Sequence, residues 1–364
     1  MESPIEYFSS LPDPRIDRTK EHLLEDIIFI TIAAVICGAE TWNDIENYGI
    51  SKEIWLKKYL TLPNGIPSHD TFNRVFSALD PDELEKCFLD WIRAVSQLTK
   101  GEVVSIDGKT IRGSRDHRKK SIVHMVSAWA GKNQLSLGQV KVDNKSNEIT
   151  AIPKLLKVLF LKGCIVTIDA MGCQTNIAEE IIKKEADYIL AVKGNQESLE
   201  LGINDTIKLE KPVDVNEASD FGHGRIETRK CSVYTDLSHI ENPNRWKELK
   251  CLVAIEATRI NKMTGHQESE TRLYISSLEP DAEKINQSIR EHWGIENSLH
   301  WVLDVSFGED KSRKRDGNSA QNFSIINRMA LNMLKNEKSK KRSVKGKRLD
   351  AGWDNDYLIK ILKN

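Results

Sequence analysis

Residues 103–113 read VVSIDGKTIRG, and residues 164–172 read CIVTIDAMG. In each stretch a short run rich in valine and isoleucine reaches an aspartate, Asp107 in the first and Asp169 in the second, and a turn of small residues follows. Such apolar runs are typical of buried β-strands. The two stretches therefore predict two strands that each end on a carboxylate.

The neighbouring segments predict a mixed sheet covered by helices. The predicted elements are, in chain order, strands at 103–106, 122–130 and 134–142, a helix at 149–161, a strand at 164–168, a helix at 175–185 and a strand at 188–192. The second and third strands flank the tight turn Gly131-Lys132-Asn133, which predicts a hairpin. The order β-β-β-α-β-α-β indicates an α/β core.

The regions on either side of this predicted core have different patterns of apolar and polar residues. Apolar residues at three- and four-residue spacing predict an all-helical N-terminal domain over residues 1–97. A helix-turn-helix at 45–76 is conceivable there, although the local acidity disfavours major-groove binding. Alternating β-like runs and polar turns predict an inserted β subdomain over 196–280. The helical period returns near residue 281, so the α/β core would comprise residues 98–195 and 281–334.

A basic C-terminal tail is predicted over residues 335–364. Between Lys335 and Arg348, fourteen residues include eight Lys or Arg and a single Glu. A solvated end and a phosphate-binding arm both account for this run.

Charge is unevenly distributed along the 364 residues. The chain carries 53 basic and 54 acidic residues, but residues 1–100 have a net charge of −7 and the remainder a net charge of +6. A polyanionic partner should therefore meet the second part. The first residues lack a basic n-region, and the longest apolar run, 27–37, is far shorter than a membrane span. These features predict a cytoplasmic protein with no membrane partner.

Two aspartates on adjacent strands need a third acid to complete a site for two divalent ions, and we expect it on a helix packed beside those strands. Residues 285–305 predict such a helix, and its mostly apolar face includes Glu296. A carboxylate on an apolar face is costly to bury unless it is paired or binds a metal. Glu296 is the preferred candidate, and the rival acids are Glu291, Asp304 and Glu309.

Three carboxylates of this kind suit phosphoryl transfer with two Mg²⁺ or Mn²⁺ ions. Such ions deprotonate an attacking water or 3′-hydroxyl and stabilise the leaving oxygen. Cations for a phosphodiester substrate follow the first aspartate at Lys109, Arg112 and Arg115. Lys193, at the end of the last core strand, is placed to touch the same backbone.

At this point the sequence resembles a family. IDGKTIRGS around Asp107, TIDAMGCQ around Asp169 and HWGIENSLHWVLDVSFGED around Glu296 resemble the DDE triad of bacterial insertion-sequence transposases, specifically the H-repeat-associated, Rhs-linked, ISAs-type subgroup. The strings FSSLPDPRIDRTKEHLLEDIIFITIAAVICG, AVKGNQ and GHGRIETR match the same subgroup, so the resemblance covers nearly the whole chain. It implies a ribonuclease-H-like core, a β insertion before the glutamate, and DNA transposition that needs Mg²⁺ or Mn²⁺.

The glutamate helix departs from related transposases. Their Tyr-x2-Arg-x3-Glu-x6-Lys signature corresponds here to Ile289, His292, Glu296 and Leu303. Residues proposed to take over DNA contacts are Arg290, His292 and His300 on this helix, and His223, Arg225 and Arg229 in GHGRIETR. The alternatives are a surface role for His292, a plain hairpin for GHGRIETR, and core packing rather than base stacking for Trp293 and Trp301.

The sequence thus predicts a DDE transposase that cleaves and joins strands of double-stranded DNA, at terminal inverted repeats and target DNA. It would act as a homodimer and associate with the nucleoid when bound to DNA. Two alternatives remain open. One is a degenerate or domesticated copy that binds DNA without cutting it, and the other is a metal-dependent nuclease that never joins strands.

Overall fold

The computed structural model describes residues 4–116, 121–143, 146–222 and 224–363. In these ranges the α-helices are α1 (Leu24–Ile36), α2 (Trp42–Leu56), α3 (His69–Ala78), α4 (Pro81–Val95), α5 (Glu148–Val158), α6 (Thr175–Lys183), α7 (Glu197–Leu209), α8 (Ala282–His292), α9 (Trp301–Phe307), α10 (Ser319–Asn336), α11 (Val344–Trp353) and α12 (Asn355–Leu362). The strands are β1 (Val103–Asp116), β2 (Ser121–Ala130), β3 (Leu135–Lys141), β4 (Ile165–Ile168), β5 (Asp187–Val192), β6 (Asp214–Gly222), β7 (Arg225–Tyr234), β8 (Cys251–Asn261) and β9 (Gln267–Ser276).

All of these strands form one sheet in the order β3-β2-β1-β4-β5-β9-β8-β7-β6. β1, β4 and β5 run parallel to one another, and every other neighbouring pair is antiparallel. The predicted mixed α/β core is therefore confirmed in outline. Strands β6 to β9, from the predicted β insertion, continue this sheet because β9 pairs with β5. The insertion also begins with helix α7, which the sequence analysis missed.

Strand β1 is much longer than predicted. Only Val103 to Ile106 pair with β4, but the ladder with β2 continues without a break from Val104 to Ile111. The predicted turn after Asp107 is therefore wrong, because β2 keeps the backbone of Gly108 extended. The basic residues that follow lie on the second half of this strand.

The helical part is built from both ends of the chain. Helix α1 is buried along almost its whole length and packs against α2, α10, α11 and α12. The structure differs from the predicted free basic tail, since α11 and α12 occupy residues 344–362. Lys347 and Arg348 are only 7% and 4% exposed, and the Arg348 guanidinium donates to the Val35 carbonyl oxygen at 2.8 Å. Apolar residues such as Leu358 and Ile361 bury this segment despite its charge.

The helix-turn-helix considered for residues 45–76 does not form. Twelve residues, 57–68, connect α2 to α3, whereas that motif uses a turn of three or four residues. Within the described ranges, no helix is both long and apolar enough to cross a membrane.

Candidate active site

The two strand aspartates lie side by side. Ile106 of β1 pairs with Ile168 of β4, and these strands are parallel, so Asp107 and Asp169 leave the shared ladder at the same edge. The Asp169 carboxylate accepts hydrogen bonds from the backbone N–H groups of Met171 and Gly172 at 3.1 and 3.4 Å. This short turn fixes the direction of Asp169.

Glu296 faces the same cavity. The predicted helix over 285–305 is divided into α8, a π-helical turn at Glu296–His300, and α9. Glu296 is the first residue of that turn, and it lines a cavity of about 230 Å³ together with Asp107 and Asp169. Its side chain is exposed, so the argument from burial on an apolar face is wrong even though the position faces the cavity. Single π-helical turns occur frequently at functional sites.

The three rival acids lie elsewhere. Glu291 lines a separate cavity at the opposite end of β1, beside Val103. Asp304 and Glu309 are both engaged by the Lys109 ammonium, at 2.6 and 3.4 Å.

The carboxylates in and beside the cavity repel one another. Burial raises the pKa of Asp107 to about 7, and the neighbouring carboxylates of Asp169, Glu148 and Glu296 add to that rise. Burial also raises the pKa of Asp169, with a further contribution from Glu148. Carboxylates that repel one another in this way gain from a cation between them.

Oxygen donors of this kind suit a hard divalent cation. Among the described residues, no three His, Cys, Asp or Glu side chains are close enough to hold a metal ion by themselves. Mg²⁺ is usually held by one or two carboxylates together with water and substrate phosphates. The donor set therefore fits Mg²⁺ or Mn²⁺ completed by a phosphodiester, and does not fit a cage made by protein alone.

Glu148, at the start of α5, is a fourth acid that the sequence analysis missed. It approaches the site because Gly108 has no side chain, and its Oε1 occupies the space that a Cβ on Gly108 would take. His124 Nε2 lies 2.6 Å from that oxygen, and Thr110 Oγ1 lies 2.7 Å from His124 Nδ1. The glycine after Asp107 was the available signal, but it indicated a turn rather than a close approach.

Two cationic side chains line the cavity. Lys193 is exposed at the end of β5, as expected, and its charge acts to lower the pKa of Asp169. Arg272 of β9 was not predicted. Its guanidinium carbon lies 5.0 Å from the centre of the Trp293 ring, and its Nε donates to Glu270 at 2.9 Å.

Two of the three histidines predicted as DNA contacts, His292 and His300, have lowered pKa values. Thr167 Oγ1 lies 2.9 Å from His292 Nδ1, and burial lowers the pKa of His292 to about 4. Burial lowers the pKa of His300 to about 3, and its Nδ1 lies 3.5 Å from Asp107 Oδ2. His300 is only 7% exposed, so the structure contradicts its predicted phosphate contact.

The basic stretch on β1 divides into two kinds of residue. Lys109 is buried among Asp304, Glu309 and Asp310, which contradicts its predicted contact with DNA. Arg112 and Arg115 are exposed, as a DNA contact requires.

The GHGRIETR stretch forms the junction of β6 and β7, where Gly222 pairs with Arg225. Gly224 has φ = +73°, a value that favours glycine. Arg225 is exposed, whereas Asp220 lies 3.1 Å from Arg229 and 3.4 Å from Arg290. His223 lies outside the described residues. The β6 and β7 strands thus form a hairpin here, and Arg229 and Arg290, two of the residues predicted to contact DNA, lie beside the Asp220 carboxylate.

The flanking tryptophans differ in exposure. Trp293 is half-buried beneath Arg272, and Trp301 is 59% exposed on α9. Core packing therefore does not account for Trp301.

Two family models together match most of the chain. Residues 98–333 match the model of the transposase DDE domain, and residues 5–92 match the model of a segment associated with that domain. The first match includes all three candidate acids.

The chain is also similar to curated bacterial proteins along its length. It is 44% identical to "Putative transposase YncI" of Escherichia coli O157:H7, over 100% of this chain and 95% of that protein. It is 42% identical to "H repeat-associated putative transposase YhhI" of Escherichia coli K12, over 98% and 97% of the two chains. Among solved structures, a piggyBac transposase synaptic complex with hairpin DNA aligns at a TM-score of 0.46 and 11% identity, over 99% of this chain and 77% of that chain. That likeness is too low to bear on the fold.

Proposed function

The chain belongs to the DDE transposase family, and we propose that it cleaves and joins DNA strands at the ends of an insertion sequence, using Asp107, Asp169 and Glu296. One observation carries the proposal: these three acids, from two parallel strands and a π-helical turn, line one cavity. The raised pKa of Asp107 supports cation binding at this site, because a bound cation stabilises carboxylates that otherwise repel one another.

The sheet supports a ribonuclease-H-like core as the scaffold. Strands β3, β2 and β1 are antiparallel neighbours, and β4 and β5 then continue in parallel with β1. This order supports the ribonuclease-H-like core that the family resemblance implies. The first two acids lie where the parallel pairing of β1 with β4 ends.

The residues then have separate roles in the reaction. Two Mg²⁺ or Mn²⁺ ions would supply a deprotonated nucleophile and stabilise the leaving oxygen. Asp107 and Asp169 hold their carboxylates on the rigid sheet, and Glu296 contributes the third from the π-helical turn. Lys193 is placed to contact a nonbridging phosphate oxygen.

Bond changes in the two steps balance without a further reactant. In cleavage, a water oxygen attacks the scissile phosphorus and the bond from phosphorus to O3′ breaks, leaving a free 3′-hydroxyl. In joining, that hydroxyl attacks a target phosphodiester, one P–O bond forms and one breaks, and the target strand's O3′ leaves. The partner is double-stranded DNA, and a homodimer would pair two ends. Acting on chromosomal DNA places the protein in the cytoplasm, at the nucleoid.

A DNA-binding protein without catalysis is a second candidate. One observation favours it: Ile289 and Leu303 occupy the positions of the signature tyrosine and lysine and are only 7% and 0% exposed. Leu303 therefore lies in the protein core, and Ile289 presents an apolar side chain to the acidic cavity, so neither supplies the polar DNA contact of the signature residue.

A strand-transfer assay with a pre-cleaved element end distinguishes a transposase from a nuclease and from a DNA-binding protein without catalysis. A transposase joins the end to target plasmid when Mg²⁺ or Mn²⁺ is added. A nuclease nicks the plasmid without joining, and a degenerate copy shifts the DNA in a gel but produces neither product. Inverted repeats in the DNA flanking the gene define the end to be used.

A further inference from the structure

Two basic segments that are distant in sequence meet beside the second half of β1. Residues 311–315 read KSRKR and follow α9. Arg315 Nε donates to the Gly113 carbonyl oxygen at 3.0 Å, and the Ser312 carbonyl lies where a Cβ on Gly113 would fall. Residues 112–115 and 311–315 are therefore in direct contact.

The two segments expose five cations, which we call the basic ridge. Its members are Arg112, Arg115, Lys311, Arg313 and Arg315. Lys314 points the other way: its ammonium lies 5.0 and 3.6 Å from the ring centres of Trp42 and Phe323 and donates to the Glu40 carbonyl. This buried lysine fastens the ridge to the helical part of the protein.

The positive charge of the ridge is largely uncompensated. Among the described side chains, no carboxylate lies within 4.0 Å of Arg115, Lys311 or Arg313. Arg112 lies 3.5 Å from Asp310, but that carboxylate is shared with Lys109. Unpaired exposed cations side by side repel one another, and a polyanion relieves that repulsion.

The ridge also borders a groove shared with the helical part. The groove holds about 450 Å³. Its lining includes Trp42, His69 and Asn73 of the helical part, Lys311, Arg313 and Arg315 of the ridge, and the acids Glu40, Asp70 and Asp316. The first hundred residues carry a net charge of −7, so the ridge supplies positive charge that their own surface lacks.

The ridge lies within reach of DNA bound at the acids. Arg112 and Arg115 follow Asp107 by five and eight residues on one strand, which is at most about 17 and 26 Å at roughly 3.3 Å per residue, because the strand is irregular between Ile111 and Asp116. One turn of duplex DNA is about 34 Å long. A duplex with its scissile phosphate at Asp107 therefore reaches the ridge within a single turn.

We propose that the basic ridge binds the phosphate backbone of duplex DNA whose scissile phosphate occupies the acidic cavity. The inference rests on the proposed function, and it adds a surface that the sequence analysis recognised only in Arg112 and Arg115. Each phosphate contact releases counterions and adds about 0.9 to the slope of log affinity against log salt.

The test uses the full chain in EDTA, so that no cleavage occurs. Fluorescence anisotropy measures binding to a random duplex and to a duplex carrying an element end over a range of salt concentrations. The ridge variant is Arg115→Ala, Lys311→Ala and Arg313→Ala combined. A control variant combines Lys100→Ala, Lys132→Ala and Lys284→Ala, which are equally exposed cations at the opposite end of β1. Equal thermal midpoints confirm that both variants fold.

The ridge variant should lose about two to three units of salt slope, and the control should keep the slope of the unaltered protein. Unchanged slope in the ridge variant overturns the proposal, and so does an equal loss in the control. If the unaltered protein binds neither duplex, the proposed function itself fails, a result distinct from loss of the ridge alone.

Discussion

Lys109 donates a hydrogen bond of 2.6 Å to Asp304, and this contact ties the strand that carries Asp107 to the helix that follows Glu296. Glu309, 3.4 Å from the same ammonium, also lies 3.0 Å from the fully buried Arg328. The network therefore holds the strand of Asp107 and the helix after Glu296 together, and with them two of the acids proposed for catalysis.

Replacing Lys109 by Met should destabilise the protein by about 3–5 kcal/mol, because the buried carboxylate of Glu309 loses one partner and Asp304 loses another. Arg112→Met, three residues along β1 but exposed, is the matched control and should change stability little. Denaturant unfolding followed by tryptophan fluorescence measures both. Equal small effects would mean that the network is not structural.

Gly108→Ala adds only a methyl group, but we expect it to disturb the proposed active site strongly. The new Cβ would occupy the position of the Glu148 carboxylate and crowd His124 Nε2, so the hydrogen-bonded pair must leave its present place beside Asp107. We expect DNA-dependent activity to fall at least tenfold while DNA binding is kept. Gly222→Ala, a strand glycine with open space around it, should have no effect. Normal activity of the Gly108 variant would show that Glu148 has no part in the site.

Asp107→Asn should stabilise the protein in metal-free buffer at high pH. The pKa of Asp107 is about 7 in the folded state against an ordinary 3.8, so the folded protein binds the extra proton and loses stability as pH rises between these values. Asparagine does not titrate. The variant's thermal midpoint should therefore match that of the unaltered protein near pH 4 and exceed it by a few degrees at pH 8. Glu210→Gln, at an exposed site, should show no such divergence, and parallel pH curves for Asp107→Asn would contradict the account.

Deleting residues 344–364 should lower the thermal midpoint sharply. Helices α11 and α12 cover α1, and Arg348 satisfies the carbonyl of Val35, so the deletion exposes an apolar helix to water. A free basic tail would instead be removed at no cost. Differential scanning fluorimetry of the truncated chain distinguishes the two, and an unchanged midpoint would restore the tail interpretation.

The sequence predicted best those elements whose bounds depend on the pattern of apolar residues within a few positions. Apolar runs placed β4 and β5 within a residue or two, and parallel pairing of β1 with β4 follows from the alternation of strands and helices. This is why Asp107 and Asp169 were predicted to be neighbours. Glu296 was selected for burial on an apolar face, yet it faces the cavity as an exposed residue of a π-helical turn.

Contacts between distant segments were not predictable in the same way. Whether Lys109 meets DNA or Asp304 depends on how α9 packs over β1, some 200 residues later in the chain. The approach of Glu148 depends on the missing side chain of Gly108, which a strand and a turn would both allow. Charge alone allowed a solvated end or a phosphate-binding arm, and it did not indicate that the apolar face of α12 packs this segment against the helical part.

Cleavage of a plasmid that carries the gene's native flanking DNA tests the central claim most directly. The unaltered protein and the variants Asp107→Asn, Asp169→Asn and Glu296→Gln are compared with Mg²⁺ or Mn²⁺, and the released 3′ ends are mapped. The account predicts cuts at the element ends for the unaltered protein, and binding without cuts for each variant. Near-normal cleavage by any one of the three variants would contradict the assignment of the acids to one catalytic site.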